Sequence, residues 1–422
     1  MTLFLSAKQI VDLLYQFKFL DYLMVVGAAG LIVYKAVKEY RVSGETGFAG
    51  YVVGTVKNNF CLTDALILIL AVLVGLSLLR NLDGFSEACA IESAFLVYLL
   101  GRVYGKEVLK AGKYLAYVGY AIIYVNGSYY LYKCIDYYTH DTYPYLGEGD
   151  LKNSGALYYY KTDLGIAILF ATVFIYCFSK ALIAKYVTIF IINVAFLFHT
   201  NARTSQAIYV FFLIGICIIE ISKLIKKSKK DSQQKTENPN NNNNSKKIIT
   251  GCAIMSMVLI ISGMVALHLS PVKKMSYSDL VISGDAAEKI EDIFHSRQII
   301  WWDTFHFMMN DTPVTELIGV DIDKDSFALH NSEQMMSHCM YLTIIFGLGF
   351  VGFIVFICLM WTVFYKLLSL DRSEWTMKLL LFSSFVIFLI MGLTTDALEY
   401  TQISWFPFIF AGMTVSEAKI NE

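Results

Sequence analysis

Apolar residues run along this chain in blocks of roughly 17–25, broken by short polar stretches. That is the length a helix needs to cross the hydrocarbon core of a bilayer. The blocks predict helical spans at 20–37, 62–79, 87–104, 112–132, 162–179, 182–199, 206–222, 248–268, 339–364, 378–395 and 403–416. The third opens on Glu87 and contains Glu92, and the stretch 42–61 has room for a short re-entrant element. The pattern therefore predicts an all-α polytopic membrane protein of about eleven spans, ten to twelve in range, forming a single membrane domain over 1–422. The first 18 residues, interrupted by Lys8, Asp12 and Lys18, suit an amphipathic interfacial helix better than a cleaved signal.

Composition agrees. Hydrophobic residues make up 56% of the 422 and charged residues 16%, too little charge for a soluble surface of this size. The eight cysteines form no CxxC pair and sit mostly inside apolar runs, as small hydrophobes. Lysine and arginine placement sets orientation. The segment 223–247 (KLIKKSKK, an Asn/Gln run, then KK) reads as a flexible basic linker on the cytoplasmic side. Counting from it, Lys35, Lys38, Arg41, Lys57, Lys106, Lys110, Lys113, Lys180, Lys185, Lys366, Arg372 and Lys378 also fall inside. The loops 80–86, 133–161, 200–205, 269–338 and 396–402 fall outside. Of these, 269–338 is the large extracytoplasmic loop; within it 285–311 reads as one or two helices, with Trp301, Trp302, Phe305 and Met308–Met309 close to one face.

Motifs of soluble enzymes are missing: no GxxxxGK[ST], no GxGxxG after a strand, no HExxH and no GxSxG occurs. The candidates are instead ionisable and polar groups at the outer ends of spans, where a charge needs water, a partner or a substrate. Arg203, in HTNARTSQ, shares a polar ledge with Asn201, Thr204 and Gln206. Arg297 opens the helix RQIIWWDTF, where free N–H groups already favour an anion. His338 stands at the start of the ninth span and suits a base or a phosphate donor. Lys161 and Asp163 open the fifth span, and Asp396 and Glu399, in TTDALEY, suit a proton or hydroxyl role.

This combination resembles the O-antigen ligase and O-antigen polymerase family of bacterial envelope enzymes. NARTSQ is similar to that family's SRTG-like run, with Ala202 in the place of serine. SRQIIWWDTF matches its arginine before an aromatic helix, and TPVTELIGVDID its proline and glycine turn, through Pro313 and Gly319. HCMYLTIIFGLGFVG fits the closing HNxYL and GLxG pattern through His338, Tyr341, Leu342, Gly349 and Gly352, with Cys339 replacing asparagine. The likeness covers roughly 155–365.

The resemblance implies a metal-independent membrane glycosyltransferase of GT-C type, working on the extracytoplasmic side of the bacterial cytoplasmic membrane without cofactor or ATP. Its donor would be a polyprenyl-diphosphate-linked oligosaccharide and its acceptor a glycan. Arg203 and Arg297 would clamp the diphosphate, and His338 would activate the acceptor hydroxyl or hold the diphosphate. Lys161, Asp163, Asn201, Trp301, Trp302 and Tyr341 would line the substrate site. Polymerisation of repeat units into a surface polysaccharide is the expected reaction. Ligation to a lipid, protein or envelope acceptor stays open, as does a chain-length regulator as partner; no nucleic acid is implied. A transporter of lipid-linked sugars is a second class, which would call for internal repeats and broken midplane helices, and a sensor or structural membrane protein a third.

Overall fold

The computed structural model describes residues 19–43, 47–48, 59–140, 161–200, 202–233, 297–331, 336–370 and 375–418. Among these the chain is almost wholly helical, without a strand. Every predicted span coincides with a helix except 248–268, which lies outside the described residues, as do 1–18, Asn201 and the loop 234–296. Among the described residues six helical stretches are long and apolar enough to cross a membrane: Leu62–Arg80, Leu82–Gly105, Lys161–Phe178, Leu182–His199, Arg203–Lys223 and Met340–Ser369. Two shorter apolar helices, Trp375–Met391 and Ile403–Ser416, accompany them.

The chain divides into two compact units, Met1–Gly112 with Gly284–Glu422, and Lys113–Ser283. The second contains α4 (Gly112–His140), α5 (Lys161–Phe178), α6 (Leu182–His199) and α7 (Arg203–Gln233). α5 is buried along nearly its whole length. It crosses α7 where Gly165 meets Ser205: a Cβ on Gly165 would lie 2.5 Å from the Ser205 hydroxyl, the close approach that small residues permit between apolar helices. α6 is interrupted by one π-helical turn, Thr188–Ile192, and the Tyr209 hydroxyl donates to the Ile189 carbonyl there (2.7 Å). α7 continues to Gln233, so KLIKKSKK extends the helix rather than opening the linker. No Gly or Pro breaks that stretch, and lysine is a good helix former that also suits a helix C-terminus.

The first unit holds α1 (Phe19–Ser43), α2 (Leu62–Arg80), a 3₁₀ turn Leu82–Gly84, α3 (Phe85–Lys110), α8 (Arg297–Asn310), α9 (Pro313–Ile318), α10 (Lys324–Leu329), α11 (Met340–Ser369), α12 (Trp375–Met391) and α13 (Thr401–Ala418). α3 and α13 pack backbone to backbone. A Cβ on Gly101 would fall 2.1 Å from the Ile409 carbonyl oxygen, and one on Gly412 2.1 Å from that of Tyr98. α2 and α3 are tied by a half-buried Arg102–Asp64 ion pair at 3.0 Å, with the Tyr98 hydroxyl donating to the same carboxylate (2.6 Å). The end of α2, the starts of α3, α11 and α13, and the end of α12 gather with the loop helices α8–α10.

The loop helices are seated by a break in α11. Gly349 has φ 68°, ψ −174°, and Gly319, at the end of α9, has φ 77°, ψ 179°. Both are backbone regions that only glycine occupies without strain. At the break the α9 turn packs directly on α11: a Cβ on Gly349 would lie 2.3 Å from the Leu317 carbonyl oxygen. The opened backbone groups are satisfied from outside the helix. Val320 N–H donates to the Phe346 carbonyl (2.6 Å) and the buried Ser77 hydroxyl to that of Gly347 (3.1 Å). Arg80 caps α9 by donating to the carbonyls of Ile318 (2.8 Å) and Gly319. Unsatisfied backbone groups in apolar surroundings are costly, so these bonds are what makes the break tenable.

Gly349→Ala is therefore expected to cost about 1–3 kcal/mol in backbone strain, plus the clash with Leu317. Gly75→Ala in α2, where nothing lies within 4 Å, is expected to be neutral or slightly stabilising. Thermal midpoints in detergent check this: the first variant melts several degrees lower, the second does not.

Candidate functional site

At the gathered end of the first unit, α8 begins with Arg297 and the chain enters α11 through Met336–Cys339. His338 has φ 47°, the one non-glycine residue with positive φ among those described. Such a conformation costs about 1–3 kcal/mol and persists only where its surroundings impose it. They do so here. The Ser337 hydroxyl accepts from Cys339 N–H (3.0 Å), closing a tight turn around His338. The Trp301 indole N–H donates to the Ser337 carbonyl (3.0 Å), and Met340 N–H donates to the carbonyls of Gly392 (2.8 Å) and Thr395 (3.2 Å). Both flanks of His338 are pinned, and its half-buried ring is carried on the knuckle between them.

Asp396, only 4% exposed, anchors the other side. The Thr343 and Ser337 hydroxyls lie 2.5 and 2.8 Å from its Oδ1. Arg297 and His338 both lie within electrostatic reach of this carboxylate and of each other. Burial pulls the Arg297 guanidinium below its ordinary value while Asp396 opposes the fall; it remains a cation at any physiological pH. Burial also holds His338 below its ordinary value against the pull of Asp396, and the Arg297 and Lys324 charges add to the fall. His338 is thus neutral at pH 7, the form of a base.

A second set of charges abuts the first. Lys324, at the start of α10, pairs with Glu399 Oε2 at 2.9 Å and with Glu87 Oε1 at 3.6 Å. Burial works to lower the Lys324 ammonium, but Glu399 and then Glu87 carry it above its ordinary value. The Glu399 side chain is 2% exposed. Its Oε2 is in direct contact with the Lys324 ammonium. Burial raises this group to about 7, Lys324 opposing and Asp396 adding to the rise.

The structure brings Arg297 and His338 within electrostatic reach of each other and adds Asp396 as their common counter-charge. Lys324 is the residue that pattern reasoning missed, because in DIDKDSF it looks like one more solvated charge. Arg203 belongs to the other unit. It is exposed at the first residue of α7, within electrostatic reach of the half-buried Lys161; Asp163 of α5 is buried. Gln206 of the same ledge is spoken for: its amide donates to the carbonyls of Thr200 (2.6 Å) and Leu197 (3.2 Å) at the end of α6.

Two expectations are corrected. The aromatic residues of α8 do not share one face. Ile300 and Met308 are fully buried with Phe327 and Phe346, and Trp301 packs against that cluster. Trp302 (67% exposed), Phe305 and Met309 stand in the open, because the i, i+4, i+8 row of Ile300, Thr304 and Met308 is the one that meets α11. Tyr341 is not free for substrate: its hydroxyl donates to the Leu389 carbonyl (2.8 Å) and ties α11 to α12. No family model, curated protein or solved structure matches this chain.

The raised Glu399 gives a pH signature with a definite sign. The folded state keeps this proton up to about pH 7, whereas an ordinary carboxyl releases it near 4.5. Between those values folding loses stability as pH rises. His338, lowered, contributes the opposite slope below its ordinary value of 6.5. Comparison with Glu399→Gln isolates the first effect. The variant's thermal midpoint should gain on wild type from about pH 4.5 to about 7 and hold its lead above; a constant difference contradicts the assignment.

Proposed function

We propose that the chain is a metal-independent glycosyltransferase of GT-C type, with about eleven spans, in the bacterial cytoplasmic membrane. In this reading it joins polyprenyl-diphosphate-linked oligosaccharide repeat units into a surface polysaccharide on the extracytoplasmic side. The observation that carries the reading is the convergence of Arg297, His338 and Asp396 at the gathered end of the first unit, where the short connecting loops are poor in lysine and arginine.

Each group has a task in that chemistry. A neutral His338 takes the proton of the acceptor hydroxyl as its oxygen attacks the donor's anomeric carbon. The bond from that carbon to the diphosphate oxygen breaks, and the lipid diphosphate leaves with the electron pair. Arg297 stabilises the negative charge that grows on the leaving group, an interaction stronger in the transition state than in the ground state. Asp396 holds Arg297 and His338 in place, and it favours the imidazolium once the proton has moved. Arg203 and Lys161 supply a second anion-binding pair. The exposed Trp302–Phe305–Met309 row of α8 offers an apolar face to the polyprenyl chain. The donor already holds an activated bond, so neither ATP nor a metal is called for.

Reconstitution in liposomes with the host's own lipid-diphosphate-linked repeat unit tests this reading, with products resolved by size. Wild type should give a ladder. Arg297→Ala, His338→Ala and Arg203→Ala should each lower the yield by a factor of at least about 100, the range seen for loss of a charge-stabilising or acid–base group. Transfer to an added lipid or protein acceptor without a ladder makes the enzyme a ligase. Neither product from folded protein and authentic donor overturns the catalytic reading and brings a transporter forward.

A further inference from the structure

One side of α9 is largely exposed among the described residues. Val314 (63% exposed), Leu317 (54%) and Ile318 (40%) lie at i, i+3 and i+4 on one side of this short helix. In a water-exposed loop such a face is a liability. Where the helix sits says what covers it.

Two spans locate α9 independently. α2 is 19 residues long, about 28 Å at 1.5 Å per residue, which matches a hydrocarbon core of about 30 Å. Its last residue, Arg80, donates to the Ile318 and Gly319 carbonyls, so α9 ends at the edge of that core. α11 is 30 residues long, about 45 Å, and so exceeds the core by about 15 Å. Measured from its Ser369 end, the residues beyond the break at Gly349 account for about 30 Å. The break, against which Leu317 packs, therefore falls at the same edge. The neighbouring surface is already of the lipid-facing kind: Leu76, Leu79 and Leu82 beside Arg80, and Ile354 below the break, are all exposed. Arg80 itself, charged and exposed at that level, is placed as an interfacial anchor.

We infer that α9 is an interfacial helix whose Val314–Leu317–Ile318 face is embedded in the acyl-chain boundary of the leaflet at the Arg80 end of α2, with phospholipid as its partner. The helix is too short to hold to a membrane alone; it is held by the α11 break and by Arg80, and the lipid covers what the protein leaves bare. This rests on the membrane reading and is independent of the glycosyltransferase reading.

The test is photo-crosslinking in phospholipid vesicles, with p-benzoylphenylalanine in place of Leu317 or, separately, Val314 in the otherwise unaltered chain. Ile354, on the exposed side of α11, is the lipid reference, and Asp325, exposed in α10, is the aqueous one. After irradiation, intact-mass spectrometry should find a one-phospholipid adduct at Leu317 and Val314 in a yield like that at Ile354, severalfold above Asp325. Yields at both positions equal to that at Asp325 overturn the proposal. Both sites are exposed, so the probe displaces no packed side chain, and size-exclusion behaviour verifies the fold.

Discussion

The requirement that buried backbone groups find partners governs the organisation of the first unit. Opening α11 at Gly349 exposes carbonyls in apolar surroundings, and specific donors claim them: Val320 N–H takes that of Phe346 and Ser77 from α2 that of Gly347, while Arg80 caps the adjoining end of α9. Those bonds make α9 and its turn an integral part of the helix bundle. The following segment, Val320–Asp323, then has one path, across the 3₁₀ turn after α2, where a Cβ on Gly84 would already touch Asp323 N at 3.2 Å. That path delivers Lys324 to Glu399 and Glu87, and the same docking backs α8 against Phe327 and Phe346, with Arg297 at its N-terminus. The glycine pair Gly319–Gly349 is thus a structural device whose consequence is electrostatic.

That consequence is a dense set of charges with little water. Arg297 and Lys324 face Asp396, Glu399 and Glu87, with His338 among them. Cations and carboxylates at such a site hold one another ionised at the expense of desolvation. The balance is uneven: Lys324 serves two carboxylates, while Asp396 takes hydroxyl donors besides its charged neighbours. Glu399 is deeply buried, and burial, with Asp396 adding to it, outweighs the Lys324 charge and leaves it titrating at about 7. Strain at His338 belongs to the same pattern, since a left-handed histidine is retained only where the neighbouring bonds over-determine it. Pinned backbone and unequal charges together fit a site that moves protons better than one that only packs.

Much of this was legible in the pattern of residues, and the boundary of legibility is physical. Span positions follow from runs of apolar residues, which need no tertiary knowledge. Arg297 and His338 could be singled out because a helix start and a span start are local features. Asp396 and Glu399 showed only as acids in a short loop, and Lys324 not at all, because their value comes from partners 53 or more positions away in the chain. The face of α8 was misjudged for a related reason: five apolar residues within nine positions give two rows, and only the docking of the loop on α11 selects the Ile300–Met308 row for burial. Tyr341 looked available because its acceptor, the Leu389 carbonyl, is invisible to side-chain patterns. The extension of α7 to Gln233 escaped notice because lysine-rich polarity was read as linker although it carries good helix propensity.

The central claim is that Arg297, His338 and Asp396 act as one site. A double-mutant cycle on donor turnover tests it most directly, comparing Arg297→Ala, Asp396→Asn and the pair, each confirmed as folded. If Asp396 works by holding Arg297 and His338, the double variant should be scarcely slower than the worse single variant, as for residues that act as a unit. Losses that multiply, as they do for independent sites, would contradict the account.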